Sequence, residues 1–239
     1  MKYRIDRNLE PGFCEHYQSY LLNACGHDEL PNPKGAKHGI LHNYRPWEYY
    51  QVLKHGDFGP HDEVLDTGAM HSYFCIYLSQ FVRRIYATDN FFWAQRNYVE
   101  KQRLFSPQQW MIYVEAKGEG RIKGEYADMM GLPYAQDTFD KVLCVSTIEH
   151  VLDDFKGIRE LARVLRPSGK LLLTTEFNFY IGQQYSEANN SYLRVYTSKS
   201  LGELISHSGL QLTGDIVLAS RNYLLLRRKV NAFVCLTKS

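Results

Sequence analysis

Apolar positions along the chain switch between two periods. Short aliphatic runs at Val64–Asp66, Arg84–Thr88, Ile122–Ala127, Lys141–Ser146 and Lys170–Thr175 read as buried strands, with turn residues between them. In the intervals the spacing becomes helical. Phe74, Leu78 and Phe81 share one face of a helix over Ser72–Phe81, and Ile158, Leu161 and Leu165 one face of a helix over Phe155–Leu165. Residues 91–118 are long for one crossover helix, and Ser106-Pro107 reads as an N-cap followed by proline in the first turn, so two helices are expected there. Nearer the start, a helical piece over Glu15–Cys25 and a Pro- and Gly-containing loop at 31–39 precede a helix that opens with Arg45-Pro46 and runs to Leu53. Thr197 or Ser198 caps a last helix to about Ser208, and strands over Leu210–Leu218 and Val230–Leu236 close the chain.

Strands alternating with helices predict an α/β fold, a mostly parallel sheet with helices on both faces. The last two strands are joined by a connection too short for a full crossover helix, so an antiparallel hairpin is expected at one edge. Residues 1–59 read as an N-terminal helical extension and lid, and 60–239 as the ligand-binding domain.

Composition narrows the function classes. At 239 residues and 44% hydrophobic, the chain suits one sizeable core and is short for two. Its net charge of +2, without a basic run, calls for neither a nucleic-acid nor a membrane partner. Five scattered cysteines with no Cys-x-x-Cys pair read as reduced thiols, with no disulfide framework and no metal site. There is no apolar leader and no segment of the ~20 apolar residues a membrane span needs, so a soluble, cytoplasmic protein, monomer or homodimer, is expected.

The candidate chemistry lies at the strand ends, where open α/β sheets bind ligands. Asp66-Thr67-Gly68-Ala69-Met70-His71-Ser72 follows the first strand, Asp89 ends the second, and Asp128 follows the third within Asp-x-x-x-Leu-Pro-Tyr-x-x-Asp-x-Phe-Asp. Ser146-Thr147-Ile148-Glu149-His150 follows the fourth. Over roughly residues 60–238 this arrangement resembles the class I S-adenosylmethionine-dependent methyltransferases, of the methyltransferase type 11 or ubiquinone-biosynthesis-like branch. That family has a Rossmann-like seven-stranded sheet with a C-terminal antiparallel hairpin. The chain departs from the pattern where Met70 and Ser72 replace two glycines of the first turn.

The resemblance implies S-adenosyl-L-methionine as donor, S-adenosyl-L-homocysteine as product, and a small-molecule acceptor. It implies a donor site of Arg45, Asp66, Gly68, Ser72, Asp89, Asn90, Asp128, Met129 and Ser146: Arg45 and Ser72 on the methionyl carboxylate, Asp89 on the ribose hydroxyls, Asp128 and Met129 on the adenine. As a single acidic residue after a strand Asp89 could equally be a helix N-cap, and its spacing of 23 from Asp66 favours the ribose reading. His150, with a pKa suited to proton transfer, is either a general base or a hydrogen-bonding residue of the Glu-His turn. Tyr49, Phe177, Tyr180, Tyr192 and Arg194, from two aromatic clusters, are the candidate acceptor residues, and rings with a few polar groups suit a sugar or other secondary-metabolite hydroxyl, or an amine. Two competing readings are a donor-binding module that is weak or inactive in catalysis and a nicotinamide dehydrogenase; the latter would need the Gly-x-Gly-x-x-Gly that Asp66–Ser72 lacks.

Overall fold

The computed structural model describes residues 1–6, 12–25, 45–70, 73–92, 106–220 and 228–239. Its strands are β1 (Tyr3–Ile5), β2 (Glu63–Thr67), β3 (Arg84–Asp89), β4 (Ile122–Tyr126), β5 (Phe139–Val145), β6 (Leu165–Phe177), β7 (Gln211–Leu212), β8 (Ile216–Leu218) and β9 (Val230–Thr237). The helices are α1 (Phe13–Cys25), α2 (Arg45–Gly56), α3 (Phe74–Leu78), α4 (Pro107–Lys117), α5 (Asp154–Val164) and α6 (Ser198–Ser208). The sheet runs β4-β3-β2-β5-β6-β9-β8-β1, with β7 also on β9. Among the described strands β9 alone is reversed: it is antiparallel to β6, β7 and β8, while β1 lies parallel to β8.

Strict alternation feeds two cores. Along β5, Val142 and Cys144 face one side and Leu143 and Val145 the other; along β9, Ala232, Val234 and Leu236 oppose Phe233 and Cys235. One side is covered by Ile158 and Leu161 of α5 and Leu201 and Leu204 of α6. The other is aromatic, built from Tyr17 of α1, Trp47 and Tyr49 of α2, Phe74 of α3 and Trp110 of α4. Because the side-chain period of a strand is two, both faces of the central strands must be apolar once both are covered.

The sheet has nine strands among the described residues rather than seven. One added strand is β1, at the N-terminus, where no strand was expected. Asp6 N–H donates to Leu218 O at 3.0 Å, Ile216 N–H to Lys2 O at 3.0 Å, and Trp47 Nε1 to Asp6 O at 2.8 Å, so β1 covers the edge that the closing hairpin would have formed. The other arises because Leu210–Leu218 splits at Gly214, whose φ of 77° breaks it into β7 and β8. The helix expected over Ser72–Phe81 is shorter, with Tyr73 left-handed ahead of Phe74–Leu78, and residues 71–72 lie outside the described set. Of the two helices expected within 91–118, the second forms from Pro107 with Ser106 and Gln109 capping each other; most of the first lies outside the described residues. Thr197 caps α6 in the same reciprocal way with Ser200.

Tyr49 stacks on Phe74 with ring centroids 4.4 Å apart and is 3% exposed. Replacing it with alanine removes a fully buried aromatic, so Tyr49→Ala is expected to cost about 3–5 kcal/mol in urea unfolding. Parent-like stability in that variant would show that Tyr49 does not hold the core together.

Candidate active site

The turn after β2 needs a glycine. Gly68 has φ 69°, and a Cβ there would sit 2.3 Å from the Thr147 side chain, which is itself held by Val145 O at 3.0 Å. The turn is pinned by Ala69 N–H to Thr88 O (3.0 Å) and Thr67 Oγ1 to Leu143 O (2.9 Å). The glycine that the chain keeps in this turn therefore stands where a side chain cannot fit.

Asp89 ends β3 with Oδ1 accepting from Phe91 N–H at 2.6 Å and Oδ2 from Met70 N–H at 3.2 Å. It thus closes a local turn and joins it to the β2 turn. Burial raises its pKa, and the two amides pull it back. Asp128, just past β4, accepts from Met130 N–H at 2.8 Å.

Beyond β5, Ser146 takes a left-handed φ of 46°, and Ile148–His150 form a single 3-10 turn. The Ser146 Oγ donates to Glu48 Oε1 at 2.5 Å, and Thr174 Oγ1 donates to the same oxygen at 2.8 Å. Glu48, 1% exposed, also meets Arg45 Nη1 at 3.4 Å, and Arg45 donates to Val145 O at 3.2 Å. This ties the start of α2 to the ends of β5 and β6. His150 Nδ1 lies 2.7 Å from Tyr192 O. A carbonyl can only accept, so the neutral ring carries its proton on Nδ1 and its lone pair on Nε2. Burial lowers the His150 pKa; the Tyr192 carbonyl and Glu176 oppose that, while Arg45 and Lys229 add to it. The ring is therefore neutral near pH 7.

These groups surround one cavity of about 460 Å³, within the range of small-molecule sites. Of the residues expected from sequence, Arg45, Gly68, Asp89, Asn90, Asp128, Met129, Ser146 and His150 line it. Asp66 lies outside the lining, 3% exposed, its Oδ2 without a hydrogen-bond partner among the described residues. Ser72 lies outside the described residues.

The acceptor candidates fare differently. Tyr49 and Phe177 are core residues, the latter packed on Tyr3 and Phe179 at 0% exposure. Tyr180 is 71% exposed and off the cavity wall, Tyr192 offers its carbonyl to His150, and Arg194 is buried against backbone carbonyls. Helical and loop aromatics satisfy core and mouth alike by composition, which is why spacing did not separate them. In their place Phe92, Met130, Leu152, Tyr185 and Glu187 line the cavity. Tyr185 lies in sequence between the candidates Tyr180 and Tyr192; Glu187 carried no signal.

Two buried carboxyls stand out. Desolvation, with Asp89 nearby, raises Asp66 to about 7, and desolvation, with Glu48 nearby, raises Glu149 to about 8. A raised folded pKa means the folded chain holds the proton longer, so stability is full below the unfolded value and falls as pH rises toward the folded one. Asp66→Asn is therefore expected to gain on the parent between about pH 4 and 7, at up to about 1.4 kcal/mol per pH unit, in thermal or urea unfolding. A difference that does not change with pH would show that Asp66 ionises normally.

Residues 65–173 match the family model described as a methyltransferase domain. A curated relative, the 27-O-demethylrifamycin SV methyltransferase of Amycolatopsis mediterranei, is 44% identical over 59 residues, 25% of this chain and 22% of the relative. The chain spans less than half the length of the first curated relatives it matches. Among solved structures, the Burkholderia thailandensis 1,6-didemethyltoxoflavin-N1-methyltransferase, bound to 1,6-didemethyltoxoflavin and S-adenosylhomocysteine, aligns with TM-score 0.61 at 16% identity over 95% of this chain and 85% of its own. The [4+2]-cyclase SpnF aligns with TM-score 0.65 at 15% identity over 98% and 99%. At those identities the structures show the fold, and chemistry must be argued from the site.

Proposed function

We propose, from the match of residues 65–173 to a methyltransferase domain, that the chain transfers a methyl group from S-adenosyl-L-methionine to a hydroxyl, or an amine, of a small molecule, leaving S-adenosyl-L-homocysteine. The observation that carries this is the convergence on one cavity of Gly68, Asp89, Asp128 and a His150 whose lone pair is fixed on Nε2. When bound, the donor supplies a methyl group already activated on a sulfonium, so the acceptor needs alignment and, if it is a hydroxyl, loss of a proton.

The donor set suits an adenosine. Asp89 spends one lone pair of each oxygen on a backbone amide and keeps others for the two ribose hydroxyls. Asp128 has Oδ1 on Met130 N–H and offers Oδ2 to an exocyclic amine, with Ala127 and Met129 giving apolar surface for a flat base. Arg45, braced by Glu48, faces the cavity as its partner for the methionyl carboxylate, and Gly68 and Ser146 shape the wall beside it. Asn90, next to Asp89, completes the ribose side. His150 takes the acceptor proton on Nε2, and its lowered pKa keeps that atom unprotonated at neutral pH. Phe92, Leu152 and Tyr185 at the cavity wall favour a ring-bearing acceptor, such as a sugar or secondary metabolite. In this reading residues 1–59 supply the lid and 60–239 the donor site, a boundary of role and not of folding, since β1 belongs to the same sheet. The protein acts in the cytoplasm, as a monomer or homodimer.

Asp89→Ala removes two charge-assisted acceptors, so calorimetric affinity for S-adenosylhomocysteine is expected to fall at least about tenfold with the fold intact. Unchanged affinity would move the ribose elsewhere. His150→Ala is expected to keep donor affinity within a few-fold and to lower turnover of a hydroxyl acceptor by roughly 10²–10⁴. Parent turnover should rise with pH through a value below that of an ordinary histidine, and the variant should lose that rise. An identical profile in both would make His150 structural.

A further inference from the structure

Arg194 does not line the donor cavity, yet it is 8% exposed and spends its side chain on the segment that carries His150. Its Nη1 donates to Val151 O, its Nη2 to Leu152 O at 2.7 Å, and its Nε pairs with Asp154 Oδ2 at 3.2 Å. Tyr196 Oη donates to that same carboxylate oxygen at 2.7 Å. The Arg194 backbone N–H donates to Glu149 O at 2.8 Å, and two residues earlier Tyr192 O meets His150 Nδ1 at 2.7 Å. Contacts to Glu149, Val151 and Leu152 thus bracket His150, and all of them originate at Arg194.

We propose that Arg194 is a positioning residue whose guanidinium locks residues 149–152 against the 178–196 loop, so that the Tyr192 carbonyl holds the His150 proton on Nδ1 and leaves Nε2 as the base. The inference rests on the reading of His150 given above. It has a physical basis in shape. The planar fork aims separate N–H groups at the carbonyls of two successive residues and at a carboxylate, which one ammonium group on a flexible stem does not reproduce. The Arg194 Cζ also lies 5.1 Å from the centroid of the Tyr185 ring, and Tyr185 lines the cavity, so the same residue joins the histidine's segment to the cavity wall. A neutral imidazole has two tautomers, and only the one with the proton on Nδ1 presents a lone pair at Nε2. Loosening the loop frees the ring to exchange between them.

The groups that set the charge around His150 are Glu176 on β6, Arg45 on α2 and Lys229 ahead of β9. None is altered by a change at Arg194. Arg194→Lys preserves the charge while removing the fork, and Arg194→Met removes both.

The test is a pH titration of the full chain labelled with ¹⁵N-histidine, followed through long-range ¹H–¹⁵N correlations without any ligand. In the parent, His150 is expected to show a protonated Nδ1 and an unprotonated Nε2. In Arg194→Lys its signals should move to a mixture of both tautomers and titrate closer to an ordinary histidine, with S-adenosylhomocysteine affinity within a few-fold of the parent. Parent-like His150 signals in a folded Arg194→Lys or Arg194→Met would overturn the proposal, as would a parent ring protonated on Nε2. Should both variants fail to fold, Asp154→Asn weakens the carboxylate that Arg194 Nε shares with Tyr196 Oη and leaves the Val151 and Leu152 carbonyls in place; it should shift the tautomer balance in the same direction, and an unmoved spectrum there overturns the proposal too. Loss of turnover in His150→Ala is a separate readout, so a failed clamp and a failed assignment of the base give different results.

Discussion

The buried carboxylate of Glu48 is the constraint around which the site is arranged. At 1% exposure it has left water, and such a group is tolerated only when its oxygens are paired. The partners come from three places in the chain: Arg45 one turn away, Ser146 at the end of β5, and Thr174 within β6. Satisfying Glu48 fixes α2 over the carboxyl ends of the central strands. It also engages Ser146 in its left-handed conformation, from which the chain turns into Thr147–His150. The helix that precedes β2 in sequence thereby brings Arg45 to the cavity wall.

The remaining walls follow from sheet geometry. Parallel strands with helices on both faces leave their carboxyl ends as the one place where several loops converge. Asp89 and Asp128 leave adjacent strands there, and Gly68 lets the first turn close against Thr147. Carboxylates gather at this end with Arg45 as the cation facing them in the cavity lining. Behind that lining, desolvation drives the buried Asp66 and Glu149 toward neutrality.

The central strands, α4 with its Ser106 cap and α6 with its Thr197 cap were legible because each rests on local chemistry: alternation, a capping hydroxyl, a proline in the first turn. So were the cavity residues at strand ends, since topology alone places them. β1 was not legible, because three residues with no distinctive pattern become a strand only through the hydrogen bonds β8 offers. The aromatic residues were misread for a related reason. Tyr49 and Phe177 satisfy the same composition as an acceptor site, and only packing shows that they face Phe74 and Tyr3 instead. Glu48 gave no signal either: a carboxylate within Arg45–Leu53 looks solvated until its partners, far away in sequence, are in place.

In the proposed reading the cavity takes an adenosine-bearing methyl donor. A calorimetric titration of the unmodified chain with S-adenosylmethionine, run beside NAD, tests it most directly. Saturable one-to-one binding of S-adenosylmethionine and none of NAD is expected; binding of NAD, or of neither, by the folded chain would rule out an adenosine-bearing methyl donor in this cavity.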